Sequence, residues 1–384
     1  MSTEYRPLVI FQNFFTPMRH KLFTEIAKTV DLTVIHMQKP QEEGRKWTEE
    51  EFAKEKNYKT IQLQNKRLSR IKPFSYVVWV TGLKELKEKI APNATVIFID
   101  NLPTNFTMFR IIRMLKQIPR KNRVLWNEQI SAQGADSRLK IMYKKFCTLF
   151  LAIQADTVLS FSQMTTAYLK SLGIPLSGQK IARTCQANYT IEEYIALRQE
   201  SSKALRPKQP LTFGFLGYFS KRKGISEFLT AIGYYRNSEA RFLFVGDGPA
   251  KQEIAQAATK DSRITLTPYA VTEQDKTNAF VQMTTHIVLS EKDPWCIVVN
   301  EAASRGVPSI VSPNVGAKEL IAKIDKDFIL PDNRPITLAK AFSDIEKLYA
   351  DKKEWDLVRE KSFEAASLWN IELAASTFLK LAQV

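Results

Sequence analysis

Residues 293–301 read D-P-W-C-I-V-V-N-E, and residues 302–311 continue A-A-S-R-G-V-P-S-I-V. The stretch opens on a carboxylate and a proline, crosses an apolar segment and reaches a second carboxylate at Glu301. At 3.6 residues per turn, the interval from Asp293 to Glu301 is slightly more than two helical turns. With a helix start near Cys296 or Ile297, the backbone N–H groups of Cys296, Ile297 and Val298 point out of its N-terminus. Such a terminus attracts phosphate through free donors and aligned peptide dipoles. Asp293 then stands on the preceding loop, and Glu301 lies about one turn inside the helix. Two carboxylates flanking an anion site suit a diphosphate held between two hydroxyl-rich groups. Gly306 and Pro308 close the helix before a β-branched run. Taken alone, the stretch also fits a buried amphipathic helix with an acidic N-terminus and a turn into a strand.

Upstream of it the same alternation repeats. F-G-F-L-G-Y-F-S-K-R-K-G at 213–224 reads as a strand ending at Gly217, a basic loop and a helix from Gly224. Lys223 sits where it can reach a phosphate; a solvated basic turn is the other reading. F-L-F-V-G-D-G-P at 242–249 reads as a strand, a glycine-rich turn and a helix with Pro249 near its first turn. Gly246 and Gly248 permit tight backbone turns near a ligand. R-I-T-L-T-P-Y at 263–269 and T-H-I-V-L-S-E at 285–291 supply two further strands.

The first half alternates likewise. Strands are expected at Arg6–Asn13, Asp31–Met37, Thr95–Asp100, Arg123–Trp126 and Thr157–Phe161, with a helix over Met18–Val30. Glu42–Lys59 is charged and reads as an exposed excursion. Residues 198–210, R-Q-E-S-S-K-A-L-R-P-K-Q-P, read as a linker. The expected organisation is a domain over 1–197, the linker 198–210, a second domain over 211–360, and helix to the end over 361–384. This is an α/β chain of two Rossmann-like doubly wound domains, with ligands at the carboxyl ends of the strands.

The ordered elements of residues 211–322 resemble the donor half of retaining glycosyltransferases of family 4, which have the GT-B fold with its two domains facing a cleft. Residues 1–190 resemble them weakly. Asp293 stands for the family's first Glu, Glu301 for its second, and Trp295 for its aromatic. Cys296 replaces the usual glycine. Lys223 and Gly224 match a Lys-Gly pair, V-G-D-G-P is matched, and Tyr218 replaces an arginine, a charge that Lys221 or Arg222 could restore. The resemblance implies that Glu301 binds ribose hydroxyls, that Lys223 and the N–H groups of Ile297 and Val298 neutralise the diphosphate, and that Asp293 holds the sugar. Pro268 and Tyr269 are candidates to read the nucleobase. Gly217, Tyr218, Arg222, Gly246, Asp247, Trp295 and Cys296 complete the expected donor site. It further implies front-face substitution without a protein nucleophile, and a final helix that crosses back onto the first domain.

Acceptor-side candidates lie on first-domain loops. Arg19 and His20 follow the first strand in N-F-F-T-P-M-R-H, and Glu128 ends W-N-E-Q. Asp100 and Asn101 are similarly placed. For His20 an exposed helix-start residue, and for Glu128 a plain surface carboxylate, are the alternatives. F-T-M-F-R-I-I-R-M-L-K-Q-I-P from Phe106 reads as a basic amphipathic helix carrying Arg110, Arg113 and Lys116. Such helices bind anionic membrane surfaces, and a core-facing helix with a solvated basic face is the alternative.

Bulk properties narrow the class. The 384 residues suffice for two domains, and 44% hydrophobic with 25% charged residues is the balance of a globular protein. No run reaches the roughly 18 apolar residues of a membrane span, and no signal-peptide core precedes Pro7. The net charge is +16. Residues 1–200 hold 31 Lys and Arg against 18 Asp and Glu, a net +13, so the basicity and its anionic partner belong to the first half. No nucleic-acid reader motif accompanies it. Cys147, Cys185 and Cys296 are far apart and odd in number, with no metal spacing, which suggests a reducing compartment. Asp325–Asp327 only superficially resembles a metal pair.

The expected function is transfer of a sugar from a nucleoside-diphosphate sugar to a glycan or lipid-linked glycan, without metal or cofactor, in surface polysaccharide synthesis. The expected location is cytoplasmic, peripheral on the inner membrane face. A GT-B nucleotide-sugar epimerase and a catalytically degenerate partner of an active transferase are the alternatives.

Overall fold

In the first half, the central strands have apolar middles with polar residues only at their ends. β1 (Leu8–Gln12), β6 (Thr95–Ile99), β7 (Arg123–Asn127) and β8 (Thr157–Ser160) are buried at every position. Unbroken burial, rather than alternation, marks parallel strands covered on both faces. The computed structural model of the chain describes residues 4–12, 16–37, 56–67, 78–99, 107–131, 138–173, 180–204 and 209–384.

With β2 (Leu32–Met37), β3 (Lys59–Leu63) and β9 (Lys180–Arg183), these strands form a seven-stranded parallel sheet in the order β3-β2-β1-β6-β7-β8-β9. A separate antiparallel pair joins β4 (Asn65–Arg67) to β5 (Val78–Val80). The edge strands β3 and β9 were not expected. Lys-Thr-Ile-Gln-Leu in β3 mixes polar and apolar residues and ends the charged stretch, because an edge strand has less surface to bury.

The second half builds a five-stranded parallel sheet from β10 (Thr212–Tyr218), β11 (Arg241–Asp247), β12 (Ile264–Thr267), β13 (Thr285–Val288) and β14 (Ser309–Val311). Its order is β12-β11-β10-β13-β14. One face is covered by an aromatic core: Phe342, from helix Pro335–Ala350, lies 4.3 Å from Phe213, and Phe228 lies 4.9 Å from Phe244 (centroid distances). The other face buries Leu216, Leu243, Val245, Phe280, Met283, Ala302 and Val307 together. Both sheets reverse direction beside their first strand, as doubly wound sheets do.

The chain divides into one unit of residues 1–186 and 371–384, and another of 187–370. This departs from the expected boundaries. Residues 191–204 are helical, so the polar run begun at Arg198 is the exposed side of a helix and no linker as far as Ala204. The return to the first unit comes at Ile371, ten residues later than the expected 361. There helix Ile371–Ala382 sets Phe378 edge-on to Trp126 at 5.2 Å, and Arg6 N–H donates to Ala382 O at 2.8 Å.

The basic helix is found at Thr107–Met114, with a tight turn over Leu115–Gln117. Ile111, Ile112, Met114 and Leu115 are buried in the first unit, while Arg113 and Lys116 are exposed. Its apolar face is thus committed to the core, the alternative reading of the sequence. Among the described residues no helix is long and apolar enough to cross a membrane.

Candidate functional site

The carboxyl edge of the second sheet gathers most of the expected donor residues. Register sets Gly217 beside Gly246 and Tyr218 beside Asp247. Gly246 has φ 154°, and a Cβ there would fall 1.9 Å from Gly217 O. The two strand ends therefore approach as only glycine allows. Phe219 N–H donates to Asp247 O at 2.8 Å and Ala250 N–H to Phe219 O at 3.0 Å, locking the two loops together. Tyr218, Arg222, Asp247, Pro268 and Tyr269 are exposed along this edge.

The basic turn is fixed by Gly224, at φ +73°, where a Cβ would stand 2.4 Å from Leu289 Cβ. Glu291 N–H donates to Arg222 O at 2.9 Å. The turn after β10 is thereby pinned to the loop after β13, its neighbour where the sheet reverses direction, the usual ligand position in such sheets. Lys223 Nζ then lies 2.7 Å from Asp293 Oδ2, both side chains largely buried. Burial pulls the Lys223 pKa down, but the facing Cys296 and Asp293 leave it above the ordinary lysine value.

Asp293 is held from behind. Its N–H donates to Asn314 O at 3.1 Å, Gly316 N–H donates to Asp293 O at 3.0 Å, and Ala317 N–H to Trp295 O at 2.8 Å. A Cβ on Gly316 would meet Pro294 O at 1.9 Å, so glycine is required for this approach. Trp295, of the expected donor set, has a buried side chain that donates to Asn300 Oδ1 at 2.8 Å and packs 6.0 Å from Trp369, so its indole supports the loop.

Cys296 has φ +80°, alone among the described non-glycine residues in the left-handed region. The position where the resembling family carries glycine thus keeps a glycine backbone here. Burial pushes the Cys296 thiol up to about 12, and its hydrogen bond to Asp293 adds to this. The helix is shorter than expected, Val298–Ala303, with Ile297 as its cap. Val299 N–H closes a turn on Cys296 O at 3.0 Å. The N–H groups of Cys296, Ile297 and Val298 have no partner among the described residues.

Glu301 is buried, and its Oε1 accepts from Lys276 Nζ at 2.7 Å and Asn188 Nδ2 at 2.9 Å. Its Oε2 has no hydrogen bond among the described residues. Lys276 also donates to Glu273 Oε1 at 2.8 Å, and Glu273 Oε2 accepts from Tyr189 Oη at 2.6 Å and Arg305 Nη2 at 2.9 Å. Arg305 is wholly buried and donates as well to Glu301 O at 2.9 Å and Thr277 Oγ1 at 3.0 Å. Glu301, Lys276, Glu273 and Arg305 thus form a chain of alternating charge. Burial works against the Glu273 carboxylate, but Lys276, Tyr189 and Arg305 bring its pKa down to about 2. Burial likewise opposes the Lys276 ammonium, which Glu301 and Glu273 overcome, leaving its pKa raised. Sequence reasoning missed Asn188, Tyr189, Glu273, Lys276 and Arg305. Arg305 follows Glu301 by one turn, and Thr272 with Asp275 forms a capping box that starts the helix of Lys276; these were the available signals. Nothing local marks Asn188 or Tyr189.

In the first unit, Arg19 and Glu128 form an ion pair. Arg19 also donates to Gln12 Oε1 at 2.8 Å and lies 5.0 Å over the Trp126 ring. The two acceptor-side candidates are therefore partners at the carboxyl ends of β1 and β7. His20 is buried, its Nδ1 2.7 Å from Tyr58 Oη, so it packs within the unit and is not the exposed helix-start residue of the alternative reading. Asp100 and Asn101 lie outside the described residues. Among the described residues no group of three or more His, Cys, Asp or Glu could hold a metal ion.

Residues 210–348 match the family model of glycosyl transferases group 1. No curated protein matches the chain. Among solved structures, sucrose-phosphate synthase from Thermosynechococcus elongatus superimposes with TM-score 0.71 at 15% identity, covering 98% of each chain. HepE of Anabaena, solved in complex with UDP, gives 0.69 at 15% identity over 97% of this chain and 98% of that one. A glycosyltransferase from Rickettsia africae gives 0.69 at 13% identity over 99% of this chain and 98% of that one. At these identities the likeness is one of fold. Over its whole length the chain has the two-unit, parallel-sheet α/β fold of GT-B glycosyltransferases, and its residues 210–348 are similar to glycosyl transferases group 1.

Proposed function

We propose that the chain is a retaining glycosyltransferase that moves a sugar from a nucleoside-diphosphate sugar to a glycan or a lipid-linked glycan. The observation that carries this reading is the Lys223–Asp293 pair where the strand order of the second sheet reverses, with Glu301 inside the short helix that follows, all within the matched residues. Uridine diphosphate is the nucleotide to test first, since HepE was solved with it.

In this reading Glu301 Oε2 accepts from the ribose hydroxyls, while Lys276 and Asn188 hold Oε1 and fix the carboxylate. Lys223, the exposed Arg222 and the N–H groups of Cys296, Ile297 and Val298 meet the diphosphate. They stabilise the negative charge that grows as the anomeric C–O bond breaks, commonly the largest catalytic contribution. Asp293 accepts from sugar hydroxyls as Lys223 turns toward phosphate. The acceptor hydroxyl attacks from the face the diphosphate leaves, and its proton passes to the departing phosphate oxygen. Configuration is retained and no side chain is alkylated. Tyr218, in place of a cation, leaves charge neutralisation to Lys223 and Arg222. Arg19 and Glu128 meet acceptor hydroxyls in the first unit.

We further propose work on surface polysaccharide at an anionic cytoplasmic membrane face, and no requirement for metal. The test is a panel of nucleotide sugars offered to the pure chain with and without EDTA. Sugar transfer or slow donor hydrolysis, with the anomeric configuration kept and EDTA without effect, is expected. Binding without turnover of any donor overturns the enzyme reading. Activity lost in EDTA and restored by magnesium overturns the metal-independent one.

A further inference from the structure

Helix Arg138–Ile153 carries Arg138, Lys140, Lys144 and Lys145 and no acidic residue. Cys147, Thr148, Leu151 and Ala152 turn one side of it into the first unit. On the opposite side Leu139, Met142, Tyr143, Phe146 and Ile153 are each between 49% and 79% exposed. Their spacings put them on a single stripe of the helix. Single exposed apolar residues are ordinary, but a continuous apolar patch marks a site of interaction.

Phe150 continues the stripe. It stacks with Phe146 at 6.4 Å and meets Phe109 at 5.0 Å. Phe109 belongs to the neighbouring basic helix, and Arg113, four residues on, lies on the same side as Phe109. Arg113 and Lys116 are both exposed. At 3.6 residues per turn, Arg138 and Lys145, both exposed, fall together on one flank of the stripe. The apolar surface is therefore edged by cations from two helices, within a half-chain of net charge +13.

We propose that this face docks on an anionic lipid bilayer, its apolar stripe entering the boundary between headgroups and acyl chains while the flanking cations meet lipid phosphates. Charge decides the occupant. Two copies of a stripe edged by cations would repel one another, and a nucleic acid would leave the stripe in water. An amphipathic helix with basic flanks satisfies both parts at once in a bilayer surface. The inference deepens the membrane partner of the proposed function but is independent of its donor chemistry. It moves the docking element from Thr107–Met114, whose apolar side is buried, to Arg138–Ile153.

The test is sedimentation of the full chain with phosphatidylcholine vesicles, with and without added phosphatidylglycerol. Binding to the anionic vesicles alone, weakened by salt, is expected. Met142→Glu with Phe146→Glu should cut partitioning by at least about tenfold, and reversal of Arg113 and Lys145 to Glu by about fivefold or more for each residue. These side chains are exposed, so the thermal melt should not move. UDP affinity, measured on the same variants, reports on the donor reading separately. Failure of the unaltered chain to sediment with anionic vesicles, or undiminished sedimentation of the Met142→Glu/Phe146→Glu variant, overturns the proposal. So does a concentration-dependent dimer that this variant breaks, which would assign the stripe to a second copy.

Discussion

Lys223 and Asp293, 70 residues apart in the chain, meet at 2.7 Å because two glycines permit it. Gly224 brings the basic turn against Leu289, and Gly316 brings its own loop against Pro294. Each contact would be blocked by a single methyl group. The cation and the carboxylate are thus positioned by backbone contacts, leaving their side chains free to exchange partners when a ligand arrives.

Lys223→Ala should cut turnover by about 100-fold or more, the usual scale for a group that stabilises a leaving charge. It also leaves the largely buried Asp293 carboxylate unpaired, at a stability cost of about 1–3 kcal/mol. Single-turnover rates and thermal melts measure the two separately. Activity within a few-fold of the unaltered chain would move the phosphate contact to Arg222 or Lys221.

Glu301→Gln keeps an oxygen for Lys276 and Asn188 but replaces Oε2 with an amide donor. Loss of charge-assisted bonds to ribose, each worth about 1.5–3 kcal/mol, should weaken UDP binding at least tenfold. Calorimetry measures this directly. An unchanged affinity removes Glu301 from the nucleotide site.

Stability of the second unit should fall in acid through Glu273. Its folded pKa, about 2, lies below the ordinary 4.5. A depressed carboxylate contributes stability that is present above its unfolded pKa and lost as pH falls through the folded one. The window is therefore pH 4.5 down to about 2. Glu273→Gln should flatten the melting temperature against pH there. The same slope in both proteins would assign the acid sensitivity to other carboxylates.

Cys296→Gly should leave stability within about 1 kcal/mol, because relief of the left-handed backbone offsets the entropy glycine adds to the unfolded chain. Cys296→Val places a β-branched residue at φ +80° and should destabilise by about 2 kcal/mol or more. Chemical denaturation of both variants checks the pair. A stable valine variant would mean that the backbone at this position relaxes without cost.

The sequence by itself determined the α/β class and the helix and strand alternation. Fully buried parallel strands such as Val-Ile-Phe in β6 need continuous apolar runs, and those are visible one residue at a time. It also pointed to the stations of the proposed donor edge, since Gly217 and Gly246 end their strands while Lys223 and Asp293 lie on the loops that follow β10 and β13, which a parallel sheet must collect on one side. Tertiary structure alone decided what each side chain faces. Trp295 and His20 could be read as ligand contacts, but packing buries both. The Thr107–Met114 and Arg138–Ile153 helices are each basic and apolar, and which one spends its apolar face in the core depends on neighbours distant in the chain. Asn188 and Lys276 come from separate segments to converge on Glu301, and the edge strands β3 and β9 form only because a partner is there to pair with. Periodicity and backbone demands are local and can be read along the chain, whereas burial and ion pairing depend on contacts between residues far apart in it.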